Sequence, residues 1–182
     1  MPHEADPPSP FVREHEAALR AAGRHGLVLD LACGRGRHAR LLAAWGLRVA
    51  ALDRSREALG ALATAARAGG LPVRPVRADA EDPRGLPFPP AAFAAVVVTR
   101  FLFRPLAPAL AALLRPGGLL LYETFTIRQR DLGQGPRNPA FLLADDELPG
   151  LFPELAVERF ETGLRGNGHP EWVASLAARR PS

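Results

Sequence analysis

A chain of 182 residues can bury a core and fits one domain spanning 1–182, so one site per chain is expected. Hydrophobic residues make up 47% of it, but the apolar runs, such as Leu119 to Leu121 and Val96 to Val98, are strand-length and exclude a membrane span; the acidic, Pro-rich start from Met1 to Pro10 does not read as a secretory leader, so the expected location is cytoplasmic. The lone cysteine, Cys33, excludes an internal disulfide and a multi-cysteine metal centre, no metal is expected, and the net charge of +4 comes from arginines dispersed among acids, which does not indicate a nucleic-acid partner.

In chain order, Phe11 to Ala22 has the pattern of a helix, and Leu27 to Leu31 is a compact strand carrying Asp30 into a glycine loop. A helix is expected from about Gly36 to Trp45, and a second strand from Arg48 to Leu52. Ser55 is placed to cap a helix with Leu59, Leu62 and Ala66 on one face, ended by Gly69 and Gly70. Val73 to Arg77 is a third, short strand. A Pro-rich loop through Pro90 leads to an apolar strand from Phe93 to Val98. Pro105 opens a helix bearing Leu106, Leu110, Leu113 and Leu114, which Pro116, Gly117 and Gly118 stop before a strand from Leu119 to Thr124. A polar loop from Thr126 to Asn138, a short helix near Asp145 to Leu151, and strands at about Leu155 to Glu161 and Glu171 to Ala178 complete the chain. Gly163 to Pro170 is turn-rich, so the last two strands should pair antiparallel. The alternation predicts a Rossmann-like, doubly wound α/β fold: a seven-stranded, mostly parallel sheet with a C-terminal antiparallel strand.

Open α/β sheets bind ligands beyond the carboxyl ends of their strands, and three acids stand there: Asp30, Asp53 and Asp79. Asp53 follows Gly34 by 19 residues, close to the roughly 20 expected of a carboxylate that holds ribose hydroxyls. The loop LDLACGRGRHAR, Leu29 to Arg40, has Gly34 and Gly36 where backbone must approach a ligand closely. A pyrophosphate calls for a helix N-terminus free of carboxylates, whereas S-adenosylmethionine (SAM) carries an ammonium and a sulfonium, so Asp30 suits SAM.

LDLACGRGRHAR, ALDRS at Ala51 to Ser55, ADAED at Ala78 to Asp82, FAAVVVT at Phe93 to Thr99 and LRPGGLLLYETF at Leu114 to Phe125 together resemble the class I SAM-dependent methyltransferases over nearly the whole chain. The resemblance implies that Ala32, Cys33 and Gly34 line the methionine moiety, with Asp30 holding its amino group, and that Asp53 holds the ribose. It implies Arg54 beside the adenine, Asp79 accepting from the adenine amino group, and Ala80 offering a backbone contact. Thr99 and Arg100 fall where the family's fourth strand faces the methyl group. Ala32 departs from the glycine of many members, which tightens the loop. TRFLFRPL at Thr99 to Leu106, YETF, and GPRNPAFLL at Gly135 to Leu143 look like a bacterial subgroup akin to tellurite-resistance-type methyltransferases, which implies a small-molecule methyl acceptor.

The other polar residues have competing readings. Cys33 has no evident base and reads as packing rather than as a nucleophile. His38, Glu123 and His169 are the general-base candidates for a neutral acceptor. Tyr122 and Glu123 point to opposite faces, so substrate contact and sheet packing both stand. Arg100, Arg104, Arg128, Arg130 and Arg137 either converge as an anion-binding lid or are solvated surface. The N-terminal helical region, residues 1–25, is expected over the site. The expected function is SAM-dependent methyl transfer to a small-molecule nucleophile. The alternatives are a SAM-binding regulatory module without turnover, or an RNA methyltransferase, the latter weakened by the missing Asn-Pro-Pro type motif and second cysteine.

Overall fold

The structure, a computed structural model, describes residues 7–166 and 170–182. Five strands, β1 (Leu27–Leu31), β2 (Val49–Asp53), β3 (Val73–Arg77), β4 (Phe93–Thr99) and β5 (Leu114–Phe125), run parallel. β7 (Glu171–Arg179) pairs antiparallel with both β5 and β6 (Ala156–Arg165), giving the order β3-β2-β1-β4-β5-β7-β6. This is the expected seven-stranded, mostly parallel sheet. Chain order reverses between β1 and β4, and the crevice beyond those strand ends is where such sheets bind ligands.

The central strands are buried on both faces, which is why they read as continuous apolar runs. Alternate residues sort to opposite sides. Val28, Ala95, Val97, Leu119 and Leu121 meet α1 (Pro10–Glu14), α2 (Glu16–Gly23), α3 (Arg37–Ala44) and α4 (Arg56–Ala68) through Phe11, Leu19, Leu42 and Leu62. Leu29, Leu31, Val96, Val98, Leu120 and Tyr122 meet α5 (Ala107–Leu113) and α6 (Glu147–Gly150). Asp30 and Thr99 share the α3 side by this same period of two. Among the described residues no helix is long and apolar enough to cross a membrane.

Several boundaries differ from the sequence reading. The helix expected over Phe11 to Ala22 is two helices, broken at His15. There the ring Nδ1 donates to Phe11 O at 2.8 Å, taking the carbonyl that the backbone N–H of a continuous helix would use; that N–H turns to Val12 O instead. Pro105 opens a 3-10 turn (Arg104–Leu106) that leads into α5 rather than the α-helix itself. β5 begins at Leu114, inside the expected helix, because Leu114 pairs with Phe93 and the chain then bulges through Arg115 to Gly118 before Leu119 pairs with Ala95. Gly118 is required in that bulge, since a Cβ there would stand 2.8 Å from Arg115 O. The polar loop expected from Thr126 to Asn138 holds a 3-10 turn at Ile127–Leu132, and a second, Pro139–Phe141, follows it. β6 runs on to Arg165, past the expected Glu161.

Candidate active site

The loop after β1 turns through three left-handed residues, Ala32 (φ 53°), Gly34 (φ 54°) and Gly36 (φ 76°). It is fastened to β2 by Cys33 N donating to Leu52 O and Gly34 N donating to Asp53 Oδ2 at 2.8 Å. Asp53 Oδ1 accepts from Ser55 N at 2.8 Å, so one carboxylate joins the two loops. Each of its oxygens keeps a lone pair for a further donor. Gly36 opens α3 with its Cα against Leu62; a Cβ there would stand 2.8 Å from Leu62 Cδ2. Ala32 takes a conformation that disfavours any residue with a Cβ by about 1 kcal/mol, the physical content of its departure from glycine.

Asp30, at the end of β1, is 1% exposed. Its Oδ2 accepts from Ala39 N at 2.8 Å, while Oδ1 is buried with no partner among the described residues. Burial, opposed by the Ala39 bond and the Arg37 charge, pushes the carboxyl from 3.8 to about 7. A buried acceptor without a donor is costly, and a ligand cation reaching Oδ1 would both satisfy it and restore its charge.

Of the cavities at these strand ends, two adjoin each other. Ala32, Asp53, Arg54, Asp79 and Ala80 line one of about 270 Å³, so five of the residues expected to bind cofactor are brought together. Asp79 accepts from Glu81 N at 2.9 Å, which shapes the segment after β3. Asp30, Cys33, Gly34, Gly36 and Thr99 do not line this cavity; they build the loop and strand ends behind it. A second cavity, of about 750 Å³, has Arg100, Thr124, Gln129 and Glu171 among its polar walls. Glu81, Phe101 and Phe141 line both cavities. These three sit in segments that the sequence reading singled out, ADAED, TRFLFRPL and GPRNPAFLL, but irregular backbone carries no periodicity from which side-chain direction can be read.

The walls of the larger cavity are held by polar staples. Gln129, 1% exposed, donates to Gln134 O at 3.1 Å and accepts from Trp172 N at 2.7 Å, tying the loop after β5 to β7. Arg104 pairs with Glu147 and donates to Ala140 O (3.1 Å) and Leu142 O (2.9 Å), which fixes the segment bearing Phe141. Arg100 pairs with Glu171, and Arg128 pairs with Asp145 at 3.4 Å beside the Trp172 ring. Arg137 donates to Gly133 O at 2.9 Å and Arg130 is exposed. The five arginines therefore do not converge as an anion lid; Arg100 alone of them lines the cavity.

A buried polar network lies on the α3 side of the same strand ends. Ser9 N donates to His38 Nε2 at 2.9 Å, so His38, when neutral, carries its proton on Nδ1 and donates to Thr99 Oγ1 at 3.1 Å. Ser9 Oγ donates to one oxygen of Glu123 and Ser175 Oγ to the other, the latter at 2.8 Å. Burial and the nearby Arg37 and Arg100 charges lower His38 to about 3. With both ring nitrogens engaged and its proton affinity suppressed, His38 is not placed to act as a base, and Glu123 is buried with each oxygen held by a serine hydroxyl. Tyr122 faces the opposite side, its hydroxyl donating to Phe101 O at 3.0 Å. Cys33 is buried, and burial beside Asp30 and Asp53 drives its thiol far up, which fits packing and not nucleophilic chemistry. His169 lies outside the described residues.

The residues fit the cofactor that the sequence reading implies: an unpaired buried carboxylate oxygen for an ammonium, and two acids and a backbone turn for an adenosine. A family model described as a methyltransferase domain matches residues 28–118. No curated protein sequence matches the chain at a significant level. Among solved structures, it is 25% identical to a protein described for the conversion of a disulfide bond into a thioacetal group during echinomycin biosynthesis, with a TM-score of 0.76, covering 100% of this chain and 85% of that one. A SAM-dependent methyltransferase from Methanosarcina mazei shares the fold at 19% identity, a TM-score of 0.73, and 97% and 99% coverage. TehB from Haemophilus influenzae shares it at 17% identity and a TM-score of 0.71, over 90% of this chain and 62% of that one.

Proposed function

Because the chain belongs to the methyltransferase-domain family, whose members use SAM, we propose that it transfers the methyl group to a small-molecule nucleophile seated in the 750 Å³ cavity. The observation that carries this reading is the adjoining of the two cavities across Glu81, Phe101 and Phe141. One is lined by the adenosine-type residues, and the other is of a size for a small organic molecule.

When bound, SAM supplies a methyl group on a positively charged sulfur. Asp30 Oδ1 takes the ammonium, and the backbone of Ala32 to Gly34 follows the methionine. Asp53 accepts from the ribose hydroxyls with the lone pairs that Gly34 N and Ser55 N leave free. Asp79 accepts from the adenine amino group, Ala80 offers its backbone, and Arg54 flanks the ring. Thr99 ends β4 and is hydrogen-bonded to His38, and Arg100 follows it into the wall of the larger cavity. Catalysis rests on alignment, for which the stapled walls of the larger cavity are suited. We place the protein in the cytoplasm, as one domain whose N-terminal helical region is pinned over the strand ends by Ser9.

Calorimetric titration with SAM, S-adenosylhomocysteine and NAD tests this reading. Saturable binding of the two adenosyl ligands and not of NAD is expected; binding of NAD alone overturns it. Release of S-adenosylhomocysteine with an acceptor present separates an enzyme from a SAM-binding module without turnover.

A further inference from the structure

Among the charged groups that line the larger cavity, Arg100 and Glu171 are paired with each other. Glu81 is the exception: its carboxylate has no partner among the described residues, it is exposed, and it lines both cavities. The other carboxylates nearby face elsewhere: Asp53 and Asp79 line the smaller cavity, where the methyl-transfer reading gives them the ribose and the adenine, and Glu123 is buried against two serine hydroxyls. His38 is neutral and doubly bonded. A proton or positive charge arriving where the cavities join therefore meets Glu81. The surrounding walls include three aromatic rings, Phe101, Phe125 and Phe141. Net negative charge with aromatic walls favours a flat acceptor that bears or develops positive charge.

Resting on the methyl-transfer reading, we propose that the acceptor is a weakly basic nitrogen on a flat aromatic body, of imidazole or arylamine type, and that Glu81 recognises it and takes its proton. The nitrogen lone pair forms a bond to the methyl carbon as the methyl–sulfur bond breaks, with that bond's electron pair going to sulfur. The positive charge thereby passes from sulfur to the acceptor, and the acceptor's N–H proton, carried by the attacking nitrogen of an arylamine or by the second ring nitrogen of an imidazole, passes to the Glu81 carboxylate and on to water. A strongly basic alkylamine does not suit this arrangement, because it arrives protonated and without a free lone pair, and a carboxylate is too weak a base to take that proton. An oxygen acid that arrives as an anion gains nothing from a second anion at the junction.

The test uses the whole protein saturated with S-adenosylhomocysteine and titrated calorimetrically with benzimidazole, naphthalene and naphthoate, three probes with similar bodies. Benzimidazole is expected to bind at least about tenfold more tightly than the others, and Glu81→Gln is expected to remove most of that preference, on the scale of one hydrogen bond to a charged group. Glu81 is exposed, so the substitution leaves the core intact; because Glu81 also lines the smaller cavity, the affinity of the variant for S-adenosylhomocysteine is measured first and the probes are compared at saturation. With SAM in place of the product, methylbenzimidazole should form, more slowly in Glu81→Gln, with the loss in kcat exceeding the change in KM. Preference for naphthalene or naphthoate, failure of all three to bind, or an unchanged variant overturns the proposal. Binding of benzimidazole without methylation overturns the proton-accepting role. Failure to bind S-adenosylhomocysteine in the first titration strikes the methyl-transfer reading itself and is seen before any probe is added.

Discussion

Single residues at the strand ends carry most of the proposed chemistry, and two of them have opposed titrations. Asp30 is raised to about 7 in the fold, above its ordinary 3.8, so its contribution to stability is full below 3.8 and is lost as pH rises through 7. His38 is depressed to about 3 from 6.5, so its contribution is full above 6.5 and is lost as pH falls toward 3. The slopes oppose each other between those ordinary values, and Tm should be flat there. Asp30→Asn should expose the His38 slope, with Tm falling as pH drops below 6.5; a profile that remains flat counts against the buried neutral imidazole. Binding a cation at Asp30 Oδ1 favours the ionised carboxylate, so SAM affinity should rise as pH crosses 7, with proton release seen by calorimetry in buffers of different ionisation enthalpy. Asp53→Ala should weaken SAM binding by roughly tenfold or more, the scale of hydrogen bonds to a charged group, and unchanged affinity would overturn the ribose assignment. The three strand-end acids were legible in the sequence because strand ends and loop glycines mark their places. Glu81 was not, because nothing in ADAED shows that its neighbours' carboxylates are already used.

Elements hold these residues in place through their caps and packing. Ser55 accepts from Ala58 N at 3.1 Å, as its position before the helix predicts. Ser55→Ala should cost about 1 kcal/mol in urea unfolding. Gly36→Ala should cost more, about 2–4 kcal/mol, because the left-handed backbone is strained by a Cβ and that Cβ enters Leu62; a difference smaller than that of Ser55→Ala would show that α3 can move off α4. Arg104 restrains the segment that carries Phe141 through two carbonyls and Glu147. Arg104→Met keeps the apolar stem and loses the staple, so amide exchange at Leu142 should accelerate while that of β4 does not. Equal protection in the variant would show that packing alone holds the segment. The break at His15 and the bulge after Leu114 escaped the sequence reading for one reason: each depends on which partner a backbone group finds, and a pattern of apolar residues records only which face is buried.

At the scale of the whole molecule, the proposed cofactor residues come from β1, β2, the segment after β3, and β4, so SAM would tie together elements distant in sequence. At a hundredfold excess over its Kd, SAM should stabilise the fold by about 2.7 kcal/mol and raise Tm by roughly 5–10 °C; an unchanged Tm at saturation would mean that the unfolded chain binds equally well or that the site is misassigned. The amino-acid sequence by itself determined the strand register of burial, the parallel α/β order, and the places of Asp30, Asp53 and Asp79, because these follow from periodicity, loop glycines and short-range capping. Only the tertiary structure decided which polar groups satisfy one another. It spent His38, Glu123 and Tyr122 on internal bonds, divided the arginines among separate partners, and left Asp30 Oδ1 and the Glu81 carboxylate without a partner among the described residues. Those outcomes depend on contacts between residues far apart in the chain, and a buried polar group is available to a ligand only when no such contact claims it.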